Sequence, residues 1–242
     1  MEVGFAAGGS YYLGDLNPGK HFMNTNFSYG LVARLNLDTR WSVKLSGMRG
    51  KIKGDAASSN YLPDRGLQFT TDLTDISGVV EFNFMPYFTG SRMNVISPYI
   101  YSGVSVFFFD PYSNGVSLRS MGTEGQNVGY DGRKPYGSVS VSIPLGLGVK
   151  VSLAKRVGLQ VYWEIHKTFN DYLDDVSTTY YLDGKSVSKD DAAAVLSDPT
   201  LSHEPGMQRG NASNNDWFAF FGLSLTYKFN LLSSKKCRDL EH

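Results

Sequence analysis

From Ser138 to Leu153 the chain reads S-V-S-V-S-I-P-L-G-L-G-V-K-V-S-L, with a large aliphatic at every odd position and a small or polar residue or Lys150 at every even one. Side chains alternate faces along a strand, so one face offers only Ser, Pro, Gly and Lys while the other is an unbroken apolar stripe. Ordinary strands run about 5–6 residues, whereas a tilted strand crossing a bilayer needs about 9–11, with lipid on one side and a polar interior on the other. This stretch predicts a membrane-crossing strand.

The same pattern recurs along the chain, giving eight strand-like segments in all. The first puts Val3, Phe5, Ala7, Tyr11 and Leu13 on one face and Glu2, Gly4, Ala6, Gly8 and Ser10 on the other. The second, from Phe27 to Leu37, has Arg34 and Asn36 on its polar face, and the third, from Trp41 to about Ile52, has Lys44 and Ser46. Ile76, Val80, Phe82 and Phe84 form the fourth stripe, opposite Ser77, Glu81 and Asn83, and the fifth runs from Tyr99 to Phe109. The seventh alternates Val157 to Ile165 with Gly158, Gln160, Tyr162, Glu164 and His166, and the eighth, from Trp217 to Phe229, sets its aromatics and leucines against Gly222, Ser224, Thr226 and Lys228.

Connection lengths alternate too. Asp38-Thr39-Arg40, the link from Pro86 to Ser97, and Ala154-Lys155-Arg156 are short; Gly14 to Asn26, Lys53 to about Thr71, Asp110 to Gly137, and Asp171 to Asn215 are long and rich in Gly, Asn, Asp, Ser and Pro. Short turns on one rim and long loops on the other are the build of outer-membrane barrels, with the short turns periplasmic. The expected fold is therefore all-β: an eight-stranded antiparallel transmembrane β-barrel over residues 1–229 with both termini in the periplasm, followed by a periplasmic tail, 230–242, ending in a tag remnant. Met1-Glu2-Val3 opens directly on a strand pattern, so any secretion signal is expected to have been removed.

An eight-stranded soluble barrel of the lipocalin type would use the same alternation with its apolar face inward. Its surface would then need Lys, Glu and Asp, but the polar faces of the sixth and eighth segments are mostly small residues, which suit the crowded interior of an eight-stranded barrel. Trp41, Trp217, Tyr227 and Phe229, at the ends of stripes, fit girdles at the two interfaces. No stretch approaches the roughly 18 apolar residues of a transmembrane helix, and mean hydropathy is −0.24. Lys plus Arg equals Asp plus Glu at 23 each, without a basic run, which argues against a nucleic-acid partner. The single cysteine, Cys237, can form no internal disulfide.

Glu2, Arg34, Lys44, Glu81, Lys150, Glu164, His166 and Lys228 face the predicted lumen, where unpaired charge is costly, so they are read as a lumen charge network. Glu164 and His166 share a face but have no third ligand at metal spacing, and Asp171, Asp174 and Asp175 lack an EF-hand spacing. This acidic group is expected to cap a loop or pair with Arg209. No nucleophile-elbow, Walker, Rossmann or zinc pattern occurs. Hence no catalytic residue, cofactor or metal is expected. Pro144 lacks a ladder donor, which predicts a local bulge. Asp183-Gly184 predicts a hairpin extending the seventh strand, and Ser188 the N-cap of a short helix over Ala192 to Leu196.

The run Asp171-Tyr172-Leu173-Asp174-Asp175-Val176-Ser177-Thr178-Thr179-Tyr180, with Arg209-Gly210-Asn211, Asn215-Asp216-Trp217 and Tyr12-Leu13-Gly14-Asp15-Leu16, resembles the Bacteroidota outer-membrane barrel family that includes the type IX secretion system component PorG. The resemblance implies a non-enzymatic outer-membrane protein that associates with periplasmic proteins of the secretion complex as an anchor or scaffold. It assigns Asp171, Asp174, Asp175, Arg209, Asp216 and Trp217 to loop architecture. Two other functions fit the residues alone: a ligand-binding or small-solute channel barrel, and a lipid-modifying barrel enzyme with its site at the outer rim near His21 or His203.

Overall fold

A computed structural model describes residues 1–229, and the predicted tail, including Cys237, lies outside the described residues. Eight long strands carry the alternation: β1 (Glu2–Leu13), β2 (Asn26–Asn36), β3 (Trp41–Asp55), β4 (Gln68–Asn83), β5 (Ile96–Ser113), β6 (Val139–Ala154), β7 (Val157–Thr168) and β8 (Trp217–Lys228). Each pairs antiparallel with its predecessor, and β8 returns to β1, from Glu2↔Lys228 to Leu13↔Trp217, so the sheet closes into an up-and-down barrel without a free edge. Closure satisfies every strand edge internally, which a bilayer requires. A two-residue arm, Val116–Ser117, pairs with the end of β5.

The apolar stripes face outward. Phe5, Leu31, Leu45, Val80, Val104, Leu147, Val161 and Leu223, one from each strand, are between 47% and 73% exposed. An apolar band around the whole circumference is far larger than water tolerates and is what lipid covers. Ser42, Ser46, Ser77, Ser105, Ser142, Ser224 and Thr226 point inward and are buried, because an eight-stranded interior has room only for side chains that meet.

The rims differ as their sequences do. One carries the tight turns 37–40 and 155–156 and the 84–95 segment, together with Met1 and Phe229, whose backbone carbonyl accepts from the Met1 amino group at 3.3 Å. The other carries the segments 14–25, 56–67, 114–138 and 169–216. Above the apolar band β3, β4 and β5 run on as a polar-skinned extension, with Lys51 and Asp72 paired at 2.8 Å on its outside. Inside it the lining changes from polar to apolar: Ile52, Phe69, Leu73, Phe107, Phe109, Phe218 and Phe220 pack with Leu16, Leu67, Leu118, Leu173 and Val176 from the loops. The hydrophobic core thus lies at the long-loop end, where the loops plug the barrel.

Three expectations need correction. Pro144 makes no bulge: Ser102↔Leu145 and Ser105↔Ser142 share one register, and Pro144↔His166 stays in the ladder. Only the pairs of Ile143 and Pro144 with β5 are missing, so the absent N–H faces β5, and the register shift on β6 falls at Ser152/Ala154. Asp183-Gly184 does not join two strand arms; Asp183 and Ser186 close a turn, and the 178–184 segment bonds to 203–210 instead, as in Tyr180 N–H to Met207 O at 2.9 Å. The short helix is present as Ala192–Ser197, but its N-cap is Asp191, whose carboxylate accepts from Ala193 and Ala194 and so satisfies free donors nearer the helix than Ser188.

Candidate functional site

Two polar assemblies occupy the barrel, one in the lumen and one beneath the long loops. In the lumen, Arg34 on β2 is the hub. It donates from Nε and Nη2 to the two oxygens of Glu81 on β4, at 2.6 and 3.0 Å, from Nη1 to Glu2 on β1 at 3.1 Å, and from Nη2 to Gln160 on β7 at 2.5 Å. Lys150 on β6 reaches Glu81 at 2.7 Å and lies 4.5 Å from the centre of the Tyr99 ring. One level higher, Lys44 faces Glu164 at 3.5 Å and the Tyr101 ring at 4.0 Å, and Glu164 meets His166 Nε2 at 2.7 Å. His166 Nδ1 faces Asp75 at 3.6 Å and Ser142 at 3.0 Å, and its ring stacks on Phe218. Asp75 and Gln160 belong to this network and were not among its predicted members.

At the short-turn rim the 84–95 segment covers the lumen. Thr89 donates to Glu2 at 2.6 Å, Lys228 donates to the Thr89 carbonyl at 2.9 Å, and Tyr87 is buried beside them. One void in the lumen, between Lys44, Tyr99, Gln160 and Glu164, is about 20 Å³, room for about one water. Among the described residues, charged side chains from opposite walls thus meet across the lumen.

Beneath the long loops, Arg209 is buried and ties the 114–138 segment to two stretches of its own 169–216 segment. Its Nη1 reaches Glu124 at 2.5 Å, its Nη2 lies 3.6 Å from Asp175, and its Nε donates to the Ser197 carbonyl at 3.0 Å. Glu124 also accepts from the backbone N–H of Ser177 at 3.1 Å, and Arg133 donates to the carbonyls of Glu124 and Thr179. Asp175 accepts from Tyr136 at 2.6 Å and from the Thr123 hydroxyl; burial pushes its carboxyl up to about 6, against the pull of Arg209. Glu124, Arg65 and Arg133 carried no periodic or motif signal in the sequence.

Asp174 and Asp216 meet over Tyr12. The Tyr12 hydroxyl contacts Asp216 at 2.9 Å and also Asp174, while Asp174 accepts from Val176 N–H at 2.8 Å and Asp216 from Leu173 N–H at 3.0 Å. One hydroxyl hydrogen serves one acceptor, so the second contact requires a carboxyl proton. Burial raises both carboxyls well above the ordinary range, which supplies that proton. Burial likewise pushes Asp171 up to about 8. Asp171, Asp174, Asp175, Arg209 and Asp216 are thus brought together; Trp217 lies just outside them, on the outer wall. The arrangement fastens loops to the rim and presents no pair of free carboxylates.

The two rim histidines are apart. His21 meets the Tyr11 hydroxyl at 3.0 Å, in an aromatic group with Phe22, Trp163 and Phe221 on the outer wall. That group covers Tyr11, which the alternation had placed against lipid. His203 bonds Asp198 at 2.9 Å and stacks on Tyr180. Beside the first of these lies a cleft of about 750 Å³, bounded by Asp15, His21, Arg65, Lys167, Asn211 and Trp217.

Among solved structures, the chain is similar to Neisserial surface protein A, with 11% identity, a TM-score of 0.51, and coverage of 94% of this chain and 96% of that one. It also matches Ail, the attachment invasion locus protein of Yersinia pestis, solved with the heparin analogue sucrose octasulfate, at 12% identity, a TM-score of 0.43 and coverage of 94% and 98%. The N-terminal β-barrel domain of Pseudomonas aeruginosa OprF matches at 12% identity, a TM-score of 0.42 and coverage of 94% and 97%. No curated protein matches. The similarity to the Neisserial protein establishes the fold alone. A family model described as a domain of unknown function, DUF6089, matches residues 1–237, and the chain belongs to that family.

Proposed function

We infer that this protein is a non-enzymatic integral barrel of the outer membrane, with both termini in the periplasm, that anchors or scaffolds a type IX secretion complex through its short-turn rim. The observation that carries the non-conducting part of this reading is the pairing of charged side chains from six strands across the lumen, around a void of about 20 Å³. A barrel filled in this way acts through its ends, which favours a scaffold over a small-solute channel. The same applies to a rim enzyme, because among the described residues the only polar side-chain contact of His21 is the Tyr11 hydroxyl, and the Asp198 carboxylate that bonds His203 also accepts from the backbone N–H groups of Ser202 and His203. The secretion assignment rests on the Asp171 to Tyr180 run and its companions.

Photo-crosslinkers at Thr39 and Lys155, exposed in the two tight turns, and at Ser188 and Asn214, exposed on the long loops, test the reading in cells. Adducts with periplasmic secretion-complex proteins are expected from the first pair. Adducts from the second pair alone would contradict it. A second reading, ligand binding at the long-loop rim, is favoured by the 750 Å³ cleft beside Trp217.

A further inference from the structure

The cleft beside Trp217 lies on the outer wall of the barrel, not within it. Leu13, Ile165 and Trp217, at the upper ends of β1, β7 and β8, line it from the strands, and Arg65 and Asn211 line it from the loops. Lys167 continues the outward face of β7 after Val161, Trp163 and Ile165, is exposed, and sits opposite Trp217 in the ladder, its Nζ 6.0 Å from the indole centre. This is the level at which the apolar band ends, and amphipathic tryptophans mark the headgroup layer there.

The lining carries positive charge with too little to neutralise it. Lys167 has no carboxylate within ion-pair distance among the described residues. Arg65 is buried, yet its Nη1 and Nη2 donate to the carbonyls of Arg209 at 2.6 Å and Asp15 at 2.8 Å, and its Nε–H has no partner. A buried guanidinium bonded only to carbonyls keeps its full charge. Arg209 is neutralised by Glu124 and Asp175, which leaves Asp15 as the cleft's one carboxylate, and Asp15 already accepts from Asn211 N–H at 2.7 Å. Two cations, amide donors and apolar side chains on the strand ends at headgroup depth suit a ligand with an anionic oxygen cluster above hydrocarbon.

We propose that this cleft binds the phosphate-bearing headgroup of a membrane lipid, with Lys167 and Arg65 facing the phosphate and Trp217 and Ile165 facing the first segment of the chains. The proposal rests on the reading of the barrel as membrane-embedded. The full chain carrying Trp41→Phe, whose remaining tryptophans are Trp163 and Trp217, is reconstituted in phosphatidylcholine vesicles containing a few per cent of a chain-brominated phosphatidic acid, and quenching of those two reports association. That chain is expected to prefer the brominated anionic lipid over brominated phosphatidylcholine about fivefold, and Lys167→Gln added to it to lose most of that preference, because one lysine near a charged surface contributes on that scale. Lys155→Gln, at the opposite rim, should keep it. Equal quenching by both lipids, or a preference unchanged in Lys167→Gln, would overturn the proposal. Inorganic phosphate that displaces the lipid at equal phosphate concentration would also overturn it, by assigning the site to a soluble anion. Flotation with phosphatidylcholine vesicles in the same samples separates the two readings: a chain that does not float fails the membrane reading, and one that floats without preference fails only this proposal.

Discussion

Arg34→Met tests the lumen network where it is most concentrated. The substitution keeps an unbranched stem and removes a guanidinium that makes four hydrogen bonds to Glu81, Glu2 and Gln160, all buried. Glu81 retains Lys150 at 2.7 Å, but Glu2 loses its only cation within 4 Å among the described residues and keeps, among them, the neutral donors Asn36, Thr89 and Thr226. Stranding one charge of a buried pair costs about 3–5 kcal/mol, which is roughly a hundredfold to several thousandfold in the folding equilibrium. Adding Glu2→Gln removes the stranded charge and restores the balance of Glu81 with Lys150, so the double variant should be more stable than Arg34→Met alone by about 1 kcal/mol or more. Denaturant unfolding in lipid vesicles, followed by tryptophan fluorescence, measures both. A loss below about 1 kcal/mol for Arg34→Met, or a double variant less stable than the single one, would refute the view that pairing across the lumen holds the barrel shut.

Three further outcomes follow from the same geometry. Asp175 and Asp171, pushed up to about 6 and about 8, hold protons in the docked loops that the unfolded chain releases near its ordinary pKa of about 4. The folded state then binds more protons, so protection of the 171–178 amides should weaken as pH rises from about 4 through about 8, and Asp171→Asn should flatten the part above about 6; protection that grows with pH would contradict this. Arg209→Met takes from Asp175 its ion-pair partner, leaves Glu124 with Arg133 alone at 3.8 Å, and should make the 169–216 segment sensitive to added protease while heat-dependent electrophoretic mobility, a property of the barrel, is retained. A Cβ on Gly8 would sit 1.9 Å from the Phe221 carbonyl oxygen across the β1–β8 seam, so Gly8→Val should lower stability by roughly 1–3 kcal/mol, read as a lower temperature of the mobility shift.

The membrane-crossing parts of the strands were legible because lipid outside and a polar lumen inside impose a period of two over a long stretch. Their upper ends were not, because the alternation changes phase there. On β4, Ile76 and Val80 face lipid, but a few residues earlier Phe69 and Leu73 point inward to the loop plug while Asp72 points out to Lys51 and water. Ile52 on β3 and Phe218 and Phe220 on β8 follow the same inversion. A reading that tracked one apolar stripe ended where that stripe changed sides, so Asp75, at the crossover, fell outside it. In the loops the acidic run was visible as a motif, but its partners Glu124 and Arg65 come from separate segments, and only the folded rim brings them to Arg209. Pro144 looked like a defect because the sequence does not say toward which neighbour a missing N–H would point.

The claim at the centre of this account is that the lumen is sealed, and planar-bilayer recording of the purified full chain tests it most directly. With Arg34, Glu81, Glu2 and Lys150 paired across the interior, membranes that contain the protein should stay electrically silent. Steady conductance steps that increase in number with added protein would contradict it.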